Sequence, residues 1–157
     1  MTASDFKHTM KALREFGKFI VTNYKSQLEA EQMNNGELYR TIKYSVSTGN
    51  SGWVISVSLA NYWKYIEYGR RPGKMPPLDV IEKWIDVKQI KPHSMTLKSG
   101  KTVIPTPPQL PFLIARSIGR RGIAPKPLFK NSFEAAKKQF IQVIKDAITQ
   151  DIKENLI

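Results

Sequence analysis

All ten prolines of this 157-residue chain lie between Pro72 and Pro127, and this distribution constrains the fold more than any other feature of the sequence. Proline interrupts helices, because it removes a backbone hydrogen bond and clashes with the preceding turn. Loops and short elements are therefore expected in the middle of the chain, and longer helices are expected in the flanks. The sequence predicts a proline-rich centre between two flanks of ordinary globular composition.

Positive charge is concentrated in the same part of the chain. Residues 62–130 carry 14 basic and 4 acidic side chains, whereas residues 1–61 carry 7 and 5, and residues 131–157 carry 4 and 4. The formal net charge of +12 therefore comes mainly from the centre. A cationic segment of this kind indicates either contact with phosphates or an acidic partner, or cations that only stabilise a helix end and keep the chain soluble.

Composition excludes several classes of protein. The chain has no cysteine, which excludes a disulfide scaffold, a thiolate metal site and a cysteine nucleophile. No window approaches the ~18 apolar residues that span a bilayer, and the N-terminus has no secretory pattern. We expect a soluble protein without membrane contact, made in the cytoplasm and folded as a single domain over 1–157, with a proline-rich basic excursion at about 89–109.

Helical periodicity marks both flanks. Apolar residues recur every three or four positions over 6–28, which predicts a helix of about seven turns with Ser4 as its N-cap. Within it, Gly17 either weakens the helix or marks a close approach of another backbone. A second apolar face over 133–152 predicts a long last helix, opened by an Asn-x-x-Glu capping box at 131–134.

Shorter elements are predicted between the long helices. They are a β-hairpin over 43–59, two helical turns over 61–68, a helix from Leu78 with Trp84 on its apolar face, a projecting hairpin around 95–104 and a helix from Leu110 closed by Gly119 or Gly122. The predicted fold class is α+β, with a long N-terminal helix, a small antiparallel β-sheet, short central helices and a long C-terminal helix.

Few residues point to catalysis. His8 and His93 have no histidine or carboxylate at metal-ligand spacing, and we interpret both as surface residues. Asp79, Glu82 and Asp86 would share one helix face, which fits a Mg²⁺-dependent nuclease or, more ordinarily, a solvated face. We predict no catalytic residue, no cofactor, no metal site and no enzyme activity.

Two groups of residues are candidate binding surfaces. The first is the aromatic stretch and following turn, whose rings could stack on nucleic-acid bases but which we interpret as a subunit contact, because tyrosine and tryptophan are enriched at protein interfaces. Its residues are Tyr62, Tyr65, Glu67, Gly69, Arg70, Arg71 and Pro72. The second is a basic surface toward DNA or an acidic partner, formed by Lys98, Lys101, Arg116, Arg120, Arg121 and Lys126.

Two segments resemble a known family. Residues 65–77, YIEYGRRPGKMPP, with Ile81, Trp84 and Ile85 after them, are similar to part of the tailed-bacteriophage head–tail joining proteins, also called tail-completion, neck or minor tail-component proteins. Residues 112–129, FLIARSIGRRGIAPKPLF, are similar to a later block of the same family. The resemblance covers roughly 38–145, although the stretch 91–109 is longer than the family pattern.

The resemblance implies a structural virion protein of the neck or tail, without catalytic residues or a cofactor. Members of the family form rings, often six-fold or twelve-fold, between the portal–adaptor stack and the tail, and DNA passes through the lumen. For this chain it implies a homo-oligomeric ring that contacts portal or adaptor and tail proteins. The charge alone leaves an alternative, a non-sequence-specific DNA-binding accessory protein that uses residues 62–130.

Overall fold

The computed structural model describes residues 6–49 and 52–156, which confirm the α+β class. The chain divides into two compact units, Met1–Glu67 with Pro127–Ile157, and Tyr68–Lys126. We call the first the helical unit and the second the inserted unit. The single domain expected over 1–157 stays a prediction, and the proline-rich stretch forms part of the inserted unit.

The described residues form six α-helices and four β-strands, close to the predicted order. They are α1 (Lys7–Ala30), α2 (Glu37–Thr41), β1 (Lys43–Gly49), β2 (Gly52–Ser58), α3 (Trp63–Glu67), α4 (Leu78–Lys88), β3 (Met95–Thr96), β4 (Thr102–Val103), α5 (Leu110–Arg121) and α6 (Leu128–Leu156). A short 3₁₀ turn, Pro107–Gln109, precedes α5. The predicted cap Ser4 lies outside the described residues.

The two long helices of the helical unit run antiparallel. Asp151, near the end of α6, meets the start of α1, while the Gln27 side chain near the end of α1 donates a hydrogen bond to the Ser132 hydroxyl at 2.6 Å. Their apolar faces pack together, with Ile20 and Ala136 almost fully buried. The three-and-four spacing of apolar residues in both flanks produces this helical pair.

The hydrophobic core of the helical unit joins the beginning and the end of the chain. Its buried centre consists of Tyr24, Leu28, Leu38, Ile42 and Leu128. The Phe129 ring lies edge-on to Tyr24, with ring centroids 5.7 Å apart, and to Trp63 of α3, at 5.8 Å. Aromatic pairs in this geometry stabilise a fold beyond the apolar area that they bury.

Gly17 marks a close approach, but its neighbour is a side chain and not the backbone that was one of the two expectations. A Cβ atom at Gly17 would lie 2.4 Å from Cδ2 of Tyr44 on β1, far inside van der Waals contact. The antiparallel hairpin places Tyr44 opposite Val57 and Val46 opposite Ile55, so these side chains share its inner face. Glycine therefore lets the hairpin pack directly against α1.

The start of α6 differs from its prediction. The capping box at 131–134 is wrong, because α6 begins at Leu128 and the Asn131 N–H already donates within the helix, to the Pro127 carbonyl at 3.0 Å. The first turn is capped instead by Glu67 of α3. Its carboxylate accepts hydrogen bonds from the backbone N–H groups of Phe129 and Lys130, both at 2.9 Å. A buried carboxylate with two acceptors satisfies donors that have no partner inside the helix.

Helix α1 is capped in the same way from the far end of the chain. The fully buried Asp151 carboxylate accepts hydrogen bonds from the backbone N–H groups of His8 at 3.0 Å and Thr9 at 2.7 Å. Burial alone would raise the pKa of Asp151, but these hydrogen bonds and the charge of His8 outweigh it and hold the pKa below its ordinary value. The negative charge also lies favourably at the positive end of the helix dipole.

In the inserted unit, α4 packs against α5, and β3, β4 and the 3₁₀ turn lie between these two helices in the chain. Ile81, Leu110 and Ala115 are buried between these elements. The prediction for Trp84 is wrong, since its side chain is 44% exposed and Ile81 with Ile85 supplies the packed face. The predicted projecting hairpin is present as β3 and β4, with Met95 opposite Val103.

Two features complete the description of the helices. Helix α5 runs through Gly119 and ends at Gly122, which has φ +74°. Across the part of the chain that the structure describes, no helix is both long enough and apolar enough to cross a membrane.

Substituting Asp151→Asn should lower stability by about 1–2 kcal/mol at neutral pH, because an amide offers one acceptor oxygen where the carboxylate offers two. Since the folded state lowers the pKa of Asp151, its contribution is present above the unfolded pKa, about 3.9, and is lost as the pH falls through the lower folded value. Urea unfolding of both proteins between pH 7 and pH 2 should therefore show the difference shrinking in acid.

The matched control for this substitution is Asp146→Asn, which removes the same charge at an exposed position of α6. It should leave the free energy of unfolding nearly unchanged at all pH values. A constant difference between Asp151→Asn and the wild type down to pH 2 would contradict the assignment.

Candidate functional site

Two segments with the same Gly-Arg-Arg sequence, 69–71 and 119–121, lie side by side in the inserted unit. The Arg70 N–H donates to the Ile123 carbonyl at 2.9 Å, and the Ile123 N–H donates to the Arg70 carbonyl at 2.8 Å. A third hydrogen bond, 2.7 Å long, runs from the Gly73 N–H to the Gly119 carbonyl. These bonds bring the two double-arginine stretches onto one surface.

Glycine is required on both sides of this bridge. Gly69 has φ +69° and Gly122 has φ +74°, a region that residues with a Cβ atom rarely adopt. A Cβ atom at Gly69 would lie 2.3 Å from the Ile123 carbonyl oxygen, and one at Gly122 would lie 2.1 Å from the Arg70 carbonyl oxygen. The close backbone approach that pairs the segments therefore depends on the two glycines.

The paired segments carry a dense group of cations, which we call the double-arginine surface. Its members are Arg70, Arg71, Lys74, Arg116, Arg120 and Arg121. All except the half-buried Arg70 are exposed. Arg116 and Arg120 are four residues apart on α5, so their side chains project from the same side of the helix.

The double-arginine surface has little internal compensation. The Arg70 guanidinium donates a 2.5 Å hydrogen bond to the Lys74 carbonyl, which braces the loop and leaves the positive charge in place. Within the inserted unit as described, Arg71, Arg120 and Arg121 form no ion pair with a carboxylate. Exposed guanidinium groups without an ion-pair partner are well suited to bidentate contacts with phosphate or carboxylate groups.

The structure regroups the residues that the sequence analysis selected. Arg70 and Arg71, assigned to a subunit contact, join Arg116, Arg120 and Arg121, assigned to a basic surface. The repeated Gly-Arg-Arg stretch was the sequence signal for this pairing. Pro72 is exposed in the same loop.

The remaining lysines of the predicted basic surface lie on other elements. Lys98 and Lys101 are exposed at the tip of the β3–β4 hairpin, where the Leu97 N–H donates to the Lys101 carbonyl at 2.9 Å. Lys126 is half-buried at the end of the inserted unit. Lys98 and Lys101 therefore lie on a different element from the paired arginines, whereas Lys126 directly follows the segment 123–125 that runs beside Gly69.

The predicted contact residues of the helical unit serve its own packing. The Tyr62 hydroxyl accepts a 2.7 Å hydrogen bond from the Leu38 N–H. Glu67 is only 4% exposed, and its two carboxylate oxygens both accept hydrogen bonds from the start of α6. Tyr65 is 49% exposed, with the Lys64 ammonium 5.5 Å from its ring centroid. Of these three side chains, Tyr62 and Tyr65 are exposed, at 37% and 49%, whereas Glu67 is buried.

The inserted unit also holds an open groove between α4 and the segment that enters α5. It is a shallow depression of about 530 Å³ that is open to solvent. Glu82 and Asp86 of α4 line it together with Ile85, Pro107 and Pro108. The groove thus combines two exposed carboxylates with a stiff apolar wall. Its walls come from residues 82–92 and 107–111, which are separated in the chain, so no local sequence pattern predicts it.

The three carboxylates of α4 do not form a metal site. Asp79, Glu82 and Asp86 are all exposed, and within residues 6–49 and 52–156 the group with ligand atoms close enough to share an ion lies elsewhere. This geometry favours the solvated-face interpretation over the nuclease.

A cluster of His8, Asp151 and Glu154 in the helical unit has ligand atoms within 4.8 Å of one another. Its groups are already satisfied, since Asp151 accepts two backbone N–H bonds and Glu154 pairs with the Lys7 ammonium at 3.0 Å. The Lys7 hydrogen bond holds the pKa of Glu154 below its ordinary value. The cluster is an ion-pair network that fastens the helix ends, and the sequence could not show it because His8 and Asp151 are distant in the chain.

No protein-family model, curated protein or solved structure matches the chain.

Replacing Glu67 should destabilise the helical unit of the isolated chain, because Glu67 acts within this unit and not at an interface with another protein. In Glu67→Ala, two backbone N–H groups at the start of α6 lose their acceptors, at a cost of about 1–3 kcal/mol. Glu134→Ala, at an exposed position of the same helix, is the matched control and should change stability by less than about 0.5 kcal/mol. Thermal and urea unfolding measure both variants, and equal stability of the two would show that Glu67 does not act as a cap.

Proposed function

We propose that this chain is a structural virion protein, the subunit of a head–tail connector or tail-completion ring in a tailed bacteriophage. In this role it joins the portal or adaptor assembly to the tail around the DNA channel, in the neck or tail of the virion. Its partners are other copies of itself in a six-fold or twelve-fold ring, and the portal, adaptor and tail proteins above and below. It has no catalytic role and needs no cofactor.

The observation that carries this proposal is the pairing of the two family-like segments. Residues 65–77 and 112–129, which resemble the head–tail joining proteins, meet through the Arg70–Ile123 bridge and the Gly73–Gly119 hydrogen bond. Two blocks that are far apart in the chain thereby contribute exposed arginines to one strongly cationic region. Such a surface is expected of a part that is built to fit a neighbour.

Cryo-electron microscopy of virions that encode this chain tests the proposal. A ring of copies of this chain at the neck or the tail is expected. Lysates of phage that lack this chain should contain filled heads and separate tails, because the protein that joins them is missing. A joined, infectious virion that lacks this chain would contradict the proposal.

The uncompensated arginines also favour the second candidate, a non-sequence-specific DNA-binding accessory protein. The double-arginine surface offers six cations, and contacts from all of them to duplex phosphates would give a salt slope of about −5 in a plot of log affinity against log salt. Fluorescence anisotropy with a labelled duplex at several salt concentrations measures this slope.

Paired charge reversals locate the binding if it occurs. Arg120→Glu with Arg121→Glu should reduce the slope by about 2, because two phosphate contacts are lost. Lys137→Glu with Lys138→Glu, at exposed positions of α6, makes the same change of charge in the helical unit and should have a much smaller effect. Absent or salt-independent binding by the wild type would rule out this candidate.

A further inference from the structure

The inserted unit carries two complementary surfaces at opposite ends of one helix. The open groove lined by Glu82 and Asp86 lies at the start of α5, where Pro111 forms part of its wall. The double-arginine surface lies at the end of α5, at Arg120 and Arg121. Nine residues separate Pro111 from Arg120, which places the two ends about 14 Å apart along the helix axis.

Within the inserted unit as described, the double-arginine surface and the groove do not form ion pairs with one another. Glu82 and Asp86 in the groove and Asp79 beside them are the carboxylates of the inserted unit, and all three are exposed. Arg120 and Arg121 form no ion pair with them. One cation, Lys91, also lines the groove and leaves its balance negative.

We infer that the groove between α4 and α5 receives the double-arginine surface of a second copy of this chain. The inference deepens the proposed function and rests on it, since it assigns the contact between neighbouring subunits of the ring. Complementary patches at different places on the same unit make a heterologous, head-to-tail contact, which closes into a ring when the rotation between copies allows it. A two-fold dimer would pair the same patches reciprocally and stop at two copies, so the size of the assembly distinguishes the two arrangements.

The chemistry of the groove fits arginine more closely than lysine. Glu82 and Asp86 are four residues apart and lie on one side of α4, so both can accept from a guanidinium group. The planar group can also lie flat against the apolar wall of Ile85 and the prolines, because a guanidinium is weakly hydrated. Met75 and Ile123, both exposed beside the arginines, add apolar contact on the other partner.

A mixing experiment with two charge-reversed variants tests this contact. The groove variant carries Glu82→Lys and Asp86→Lys, and the arginine variant carries Arg120→Glu and Arg121→Glu. Sedimentation velocity of the wild type should show association that weakens with salt, whereas each variant alone should associate about tenfold or more weakly. All four positions are exposed, so both variants should fold, which circular dichroism and thermal melting verify.

The mixture of the two variants should behave differently from either one. The groove variant keeps its arginines and the arginine variant keeps its groove, so one contact can form between them. The other contact, between the introduced lysines and the introduced glutamates, also joins opposite charges, so the mixture should associate more strongly than either variant alone. The control pair Glu134→Lys and Asp146→Lys on α6 should associate as the wild type does.

Other outcomes would overturn the inference. They are a wild type that remains monomeric, a groove variant that associates like the wild type, or a mixture that forms no complex. If the groove variant is unchanged while virions contain the ring, the contact is wrong and the proposed function stands. If the mixture forms its complex but virions contain no ring, the contact stands and the proposed function fails. If the wild type does not self-associate, and the groove variant and the wild type bind duplex DNA equally, the inference is overturned and the arginines are assigned to DNA binding.

Discussion

Burial of two carboxylates at the starts of the two long helices organises the helical unit. Asp151 caps α1 and Glu67 caps α6, and each accepts two backbone N–H groups that have no partner inside the helix. A carboxylate that is removed from water is stable only when its oxygens accept hydrogen bonds. Each buried carboxylate therefore requires the start of its helix to be in place when the helical unit folds. The antiparallel register of α1 and α6, and the edge-on packing of Phe129, follow from that requirement.

The Glu67 cap also governs how the inserted unit is connected. Glu67 is the last residue before that unit, and Phe129 follows shortly after it. Hydrogen bonds between them hold the two ends of the intervening segment together from the side of the helical unit. The inserted unit has its own closure in the Arg70–Ile123 bridge, with glycine at Gly69 and Gly122. The two ends of the inserted segment are thus held close together by hydrogen bonds in each unit, and the prolines and short elements lie between these ends in the chain.

Local pattern was enough to predict most of the elements. The spacing of apolar residues predicted α1, α6 and α5, alternation predicted the β1–β2 hairpin, and glycine predicted the end of α5. What failed depended on partners distant in the chain. The Asn131 box is a sound local signal that a buried carboxylate from α3 overrides, and Trp84 fits an apolar face that α5 does not cover. The two binding surfaces divide in the same way: repeated Gly-Arg-Arg stretches are visible in a sequence, whereas a groove with walls from α4 and the Pro107 turn is not.

The closed base of the inserted segment also bears on how its length can vary. When the ends of a segment are already held, extending it costs only the additional closure entropy, about 0.6 kcal/mol for each doubling of length. The β3–β4 hairpin and its flanking loops project from that closed base, away from the glycine bridge in sequence. The tip of the β3–β4 hairpin can therefore lengthen or shorten with little loss of stability, whereas Lys91, Pro92, Pro107 and Pro108 at its base are tied to the groove that they line.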